Sequence, residues 1–520
     1  MLKIIFFASA ILFFFAVYFH NIIELDQDLG RHLLTGKIIL ETHQVPNINL
    51  FSYTQTNFPF INSHWLSEVI FSLLGLTRLV YFKTVVMLTV GILTLYTTYK
   101  FSKNLTATAI AFAIFAPVLL ERTEIRPEIF SYLFIAIFIY ILLLKPKLIW
   151  VLPIIEILWV NAHIYFILGP ILITIYCLAS KRITPYAVLI FAATLCNPYG
   201  LSGAIYPLRV FDNYGYSIVE NQNIFFLREM IFNPNIFYFG IAVTIFLASF
   251  FFVRFRLSAI GYLLSVLVIL PIIHIRSFPL LFLIELPIFA FNLAGWKKYG
   301  TTVVAGVILL TVFRTYRLAS NQYYLSIDSQ KKFGTDVSES GKGAVDFAIT
   351  NKLPGPIFNN FDIGSYLDYR LYPKYKVFVD GRPEAYPKEF FQNLYIPMQQ
   401  SPENFSKVDD IYKFNLIIFS HTDGTPWGQQ FLTDIVKNKK FALVYIDDYA
   451  VVFVRDERLW KPFSWDKFTK DHYEKLFALN PDSPAALQGL GTIYSQNPTT
   501  TVLGEQLLVK YRQKVSLILF

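Results

Sequence analysis

Long apolar runs broken by short polar connections dominate the first 320 residues. Runs of about 17–21 residues match the hydrocarbon thickness of a bilayer and predict about eleven membrane-spanning helices, near 4–23, 79–99, 105–120, 128–144, 148–163, 165–179, 183–197, 235–253, 258–274, 278–295 and 300–317. Within the connection after the first run, WLSEVIFSLLGL (65–76) is too short to span and carries apolar residues at helical spacing around Glu68, so it predicts a helix lying in the interface. Past residue 320 the pattern changes. Short apolar stretches at 356–359, 376–380, 415–419, 441–447 and 449–455 alternate with helical patterns at 343–352, 363–371, 387–396 and 427–438, the rhythm of a small α/β domain. A helical tail follows. Its HYEKLFALNPDSPAALQGLGTIY resembles the junction between helices of a tetratricopeptide (TPR) repeat, and one such unit cannot bury its own face, so it is expected to pack on its neighbour or a partner.

The expected organisation is therefore a polytopic α-helical transmembrane domain over 1–318, with its first outer loop at 24–78, an α/β domain over 330–456 and a TPR-like tail over 460–520. Composition agrees: 55% of the 520 residues are hydrophobic and 16% charged, with a mean hydropathy of +0.47, far from a soluble chain. The connections at 100–104, 145–147, 180–182, 254–256 and 296–298, with Lys3, carry eleven Lys or Arg and no acid, which marks that face as cytosolic. The net charge of +9 is thereby explained without a nucleic-acid partner. An odd number of spans places the α/β domain outside a cytoplasmic membrane, with the N-terminus in the cytosol. Cys177 and Cys196 fall near opposite faces, too far apart for a disulfide.

Candidate chemistry gathers on the other face. Asp26 and Asp28 flank one residue directly after the first run, followed by Arg31, His32, His64 and Glu68. Charges are costly in hydrocarbon, so ionisable groups where a span ends are either anchors or a site. Paired acids can chelate a divalent cation such as Mg or Mn, or one can act as base towards a hydroxyl while the other orients it. Arg122, Arg126, His163, His274 and Arg276 end other spans on the same side, and several Arg at one depth suit a phosphate at headgroup level. Asn161 lies beside His163. Glu220 lies in the long 198–234 connection, the expected cover over a substrate. Asp380 and Arg382 read as a turn-fixing ion pair. No Walker loop, zinc spacing, Gly-x-Ser-x-Gly elbow or dinucleotide fingerprint occurs, which disfavours nucleotide-using chemistry.

The ordered set DQD (26–28), HWLSE (64–68), RPE (126–128), WVNAH (159–163), NPYG (197–200), IRSFP (275–279) and FVDGRPEAYP (378–387) resembles polytopic prokaryotic proteins of the GT-C glycosyltransferase superfamily, the class of protein mannosyltransferases, aminoarabinose transferases and oligosaccharyltransferases. The resemblance implies a polyisoprenyl-phosphate-linked sugar donor and a glycan, lipid or protein acceptor at the outer face. It implies Asp26 and Asp28 as the catalytic pair, or as a metal site, with Arg126, Arg276 and His163 on the donor phosphate. Rival classes are a flippase or transporter, which would carry ionisable residues at mid-membrane, and a noncatalytic scaffold that tolerates replacement of both acids.

Overall fold

The computed structural model describes residues 1–518 except 24, 26, 182, 219–220, 226–233, 253–258 and 296–299. The fold is mostly helical, with one small sheet. Among the described residues three helices are long and apolar enough to cross a membrane, Trp65–Ser102, Ile275–Asn292 and Gly300–Ala319, and six shorter apolar helices accompany them. Several apolar runs are composite: Leu105–Phe115 continues as a 3-10 turn over Ala116–Glu121, and 3-10 turn Pro146–Val151 leads into helix Leu152–Ala162. Proline at the first turn explains the second case, because its missing N–H is one of the groups that a helix start leaves unbonded anyway.

The 65–76 segment and the 79–99 span form one helix with a break at Gly75, whose φ of 68° lies where L side chains are disfavoured. The interface segment is thus the first arm of a kinked helix. A second difference lies upstream, where Leu29–Thr42 forms a helix that the apolar pattern did not announce. Gly36 explains its position: an added Cβ there would stand 2.0 Å from the backbone oxygen of Glu68, so only glycine lets this helix approach the 65–74 arm closely.

The sheet has the order β1–β2–β4–β3, with β1 Ile357–Asn359 parallel to β2 Leu416–Ser420 and the pairs β2–β4 (Ala450–Arg455) and β3 (Phe441–Ile446)–β4 antiparallel. β1 and β2 are buried throughout, and apart from their last residues, Asn359 and Ser420, they are apolar, as strands covered on both faces require. The expected strand at 376–380 is not in this sheet. Val377 instead exchanges backbone hydrogen bonds with the first outer loop, donating to Phe51 O (3.0 Å) and accepting from Tyr53 N (3.1 Å), while Phe378 N is taken by the Asn359 side chain. The stretch is extended, but it sews the α/β domain to the loop after the first helix. A further helix, Pro402–Tyr412, completes the domain.

The tail is three helices, Trp465–Leu479, Pro484–Ser495 and Thr501–Ile518, the last two packed through Leu487, Leu490 and Leu507. Trp465 donates to Leu432 O (2.9 Å) and Ala485 N to Asp328 (2.7 Å), so the tail rests on the domain beside it.

Candidate active site

Asp28 stands at the N-cap of helix 29–42, yet its carboxylate makes no capping bond. It turns to two guanidinium groups: Oδ2 lies 3.2 Å from Arg126 and Oδ1 3.4 Å from Arg31, and the side chain keeps 25% exposure. Arg126 also donates to Gln27 Oε1 (2.7 Å). Pro127 occupies the N-cap of helix Glu128–Leu144, directing Arg126 from the helix start, as the Arg-Pro-Glu order suggests. Asp26 and Glu220 lie outside the described residues.

Behind this pair, Glu68 is almost completely buried. It accepts from His32 Nδ1 (2.8 Å) and Asn62 Nδ2 (2.6 Å), with Arg31 at 3.8 Å. Burial alone would raise its carboxyl, but the His32 hydrogen bond, Arg31 and Asn62 outweigh it and hold the group ionised. His32 is pushed down by burial and by Arg31, so it bonds Glu68 as a neutral N–H donor. His64 is lowered to about 3 by burial and by His32. Its ring stands between those of His32 (5.8 Å) and His163 (5.3 Å). His163 Nδ1 is 2.8 Å from Ser131 Oγ, and Ser131 accepts from Trp159 Nε1 at 2.7 Å. Tyr165, whose hydroxyl is 3.3 Å from Ser277 Oγ, ties this loop to the turn carrying Arg276.

These side chains enclose a cavity of about 110 Å³. Asp28, Arg31, His32, His64, Arg126, His163 and Arg276, all singled out in the sequence, line it together. Glu68 supports it from behind. Arg122 is turned to Glu128 (2.8 Å). Asn161 joins Trp65 Nε1 (2.8 Å) to the carbonyls of Ile157 and Cys196, and His274 bonds Asn221 O (3.0 Å) and stacks on Phe211. None of Arg122, Asn161 and His274 lines the cavity.

The α/β domain closes the cavity from above through Gly381, Arg382 and Glu384, and the 198–234 connection contributes Tyr206 and Tyr214. Arg382 grips Asp380 with two bonds of 2.9 and 2.6 Å, bonds Asn49 Oδ1 (3.1 Å) and lies over Phe51 and Phe60, so the expected turn-fixing pair also clamps the first loop. Burial raises the Glu384 carboxyl against the pull of Arg31 and Arg382.

Sequence reasoning passed over Glu384, Tyr206, Tyr214, Ser131, Trp159 and Lys83. Trp159 stands one helical turn before His163 in WVNAH, and Lys83 is the one charged residue in the run 79–99, signals that were available. Lys83, fully buried, donates to Thr123 O (2.9 Å) and lies 3.0 Å from His20 Nε2, holding the loop that carries Arg122 and Arg126. Among the described residues no three His, Cys, Asp or Glu side chains form a metal-binding group.

No protein-family model and no curated protein matches the chain. Solved structures similar to it include the following two. The archaeal oligosaccharyltransferase AglB from Archaeoglobus fulgidus, in complex with an inhibitory peptide and a dolichol-phosphate, is 12% identical with a TM-score of 0.54, over 87% of this chain and 74% of that one. The arabinofuranosyltransferase AftD from Mycobacteria is 14% identical with a TM-score of 0.48, over 87% of this chain and 41% of that one, so the chain spans less than half of AftD's length. Both belong to the GT-C superfamily, and the likeness to AglB shows a GT-C-like fold.

Proposed function

We propose that this GT-C-like chain is a multi-pass membrane glycosyltransferase that moves a sugar from a polyisoprenyl-phosphate-linked donor to an acceptor at the outer face of the cytoplasmic membrane. One observation carries the reading: a partly exposed carboxylate, Asp28, meets Arg126 at the edge of a cavity whose one wall is cationic and whose roof is supplied by the α/β domain. The cationic wall of Arg126 and Arg276, with the His163 ring beside it, suits a phosphate. Glu384, Tyr206 and Tyr214, which also line the cavity, suit the hydroxyl groups of an acceptor. The basic connections at 100–104 and elsewhere support a cytosolic opposite face, which puts the cavity outside, where flipped lipid-linked sugars are found and ATP is not.

In the proposed reaction an acceptor hydroxyl or amide attacks the anomeric carbon with inversion. The bond from that carbon to the phosphate oxygen breaks, the lipid phosphate leaves with the electron pair, and the acceptor's proton passes to a carboxylate of the first loop. Donor binding frees that base: a phosphate on Arg126 competes with Asp28 for the same guanidinium and releases Oδ2. Asp26 is the second acid of the pair, to orient the acceptor. A divalent cation is the other role open to the pair. The described carboxylate is engaged by two guanidinium groups instead, so transfer is expected to survive EDTA; a loss restored by Mg or Mn would return the pair to metal binding.

The test is transfer of radiolabelled sugar from polyprenyl-phosphate donors in membranes that contain the protein, compared with membranes that lack it. Donor-dependent transfer supports the enzyme. Movement of the donor across the membrane without transfer would favour the flippase.

A further inference from the structure

We infer that His163 is locked as the neutral tautomer protonated on Nε2, and that it offers the departing lipid phosphate one uncharged N–H, with Ser131 and Trp159 as the positioning residues that set it. The second half rests on the donor reading above; the first stands on hydrogen-bond accounting alone. An indole nitrogen can only donate. Trp159 Nε1 points at Ser131 Oγ from 2.7 Å, so the serine oxygen accepts there and its own proton is free for the next partner, His163 Nδ1, at 2.8 Å. A donor of fixed direction converges on the same nitrogen: the backbone N–H of Tyr165 lies 3.4 Å from Nδ1, which accepts it and so caps the turn Ile164–Ile167. A backbone N–H can only donate, so Nδ1 must offer Tyr165 a lone pair; the serine then gives its own proton to the same nitrogen, and the ring proton is on Nε2.

Ser131 and Trp159 are fully buried and His163 is 3% exposed, so water does not compete for this relay. The ring nevertheless lines the cavity, and Nε2 makes no hydrogen bond to the described protein. The groups around it are His64 and His32 from the first outer loop, Arg276 from the 275–277 turn, Arg122 before the Arg-Pro-Glu turn and Glu128 beside it. Two of these are guanidinium groups. A further positive charge on His163 would be repelled by them, whereas a neutral donor adds a directed hydrogen bond to a phosphate oxygen at no such cost. The relay also gives the WVNAH order a physical content: Trp159 and His163, one helical turn apart, address the same serine on the neighbouring helix.

Two measurements on the full chain in lipid nanodiscs test this. In histidine-15N-labelled protein the His163 signal, identified by its loss in His163→Gln, is expected to show one protonated nitrogen, Nε2, from pH 6 to 8; a doubly protonated ring, or a proton on Nδ1, overturns the inference. The second is binding of a polyprenyl monophosphate, with the polyprenyl alcohol as control. His163→Phe and Ser131→Ala should each weaken the phosphate roughly tenfold, while His163→Gln, whose amide N–H reaches the Nε2 position, should retain most of the affinity, a rescue that a packing role would not give. Unchanged binding in both His163→Phe and Ser131→Ala overturns the donor role, as does wild-type affinity that falls between pH 6 and 8 in a manner abolished by His163→Gln. Wild type that prefers the phosphate no more than the alcohol overturns the lipid-phosphate reading and the donor role with it, and the nitrogen signals then still decide the tautomer.

Discussion

Two aspartate–arginine pairs stand within one small region, and they are built for opposite purposes. Asp380 and Arg382 are both inside: two short bonds join them, Asn49 takes a further guanidinium N–H, and Phe51 and Phe60 cover the cation. Asp28 and Arg126 are joined by one contact of 3.2 Å, the aspartate keeps a quarter of its surface exposed, and each partner is shared, Asp28 with Arg31 and Arg126 with Gln27. The same residue types thus make a closed clasp in one place and an open, exchangeable contact in the other. A closed pair has nothing to offer a substrate. An open one can trade its partner for a phosphate.

The sharpest break in that comparison is Asp28→Asn against Asp380→Asn. A carboxylate acting as general base contributes about 10²–10⁴-fold, so Asp28→Asn should reduce transfer by that order at unchanged thermal stability in detergent; full activity in Asp28→Asn would end its role as base. Asp380→Asn strands a buried guanidinium, which costs about 3–5 kcal/mol. Its loss of activity should therefore track loss of folded protein, and a stable but inactive Asp380→Asn would instead place Asp380 in the chemistry.

Arg126→Lys tests the exchange itself, with a smaller effect. Lysine keeps the charge and gives up the forked geometry that spans Gln27, Asp28 and a phosphate. The donor KM should rise about tenfold, the scale of one charge-assisted hydrogen bond, with kcat less affected. A fall in kcat at unchanged KM would mean that Arg126 acts only in the transition state and does not hold the ground-state donor.

Much of this arrangement was legible in the sequence. Charged residues that interrupt apolar runs are conspicuous, and Asp28, Arg31, His32, His64, Arg126, His163 and Arg276, each of which ends an apolar run or follows one, meet at one cavity. Contacts that depend on tertiary approach were not legible. Nothing local tells that Gly36 admits the helix carrying His32 to hydrogen-bonding distance of Glu68, or that Val377 spends its backbone bonds on Phe51 and Tyr53 and so swings Gly381–Glu384 over Asp28. The GRPEAY stretch advertises a tight turn. What that turn covers is set 333 residues away, by the clasp of Arg382 on Asn49 of the first loop.

The smallest expected effect concerns the supporting wall and separates it from the open pair by pH. His64 is held neutral, its folded pKa lowered from 6.5 to about 3 chiefly by burial, with His32 and Arg31 adding to the fall. An unfolded chain takes up that proton near pH 6.5, while the folded one resists it, so the unfolded state binds more protons throughout the interval. The stability that His64 contributes is then complete above about pH 6.5 and drains away as pH falls towards about 3. Glu68, also depressed, works in the same direction at the acid end of that range, since protonating it removes the partner of His32 and Arg31. Thermal stability in detergent should decline from pH 7 to pH 5, and His64→Gln, which cannot take up the proton, should flatten the decline without removing transfer. If His64→Gln leaves the slope unchanged, the imidazole is not the group that titrates, and the remaining slope belongs to other buried groups such as His32.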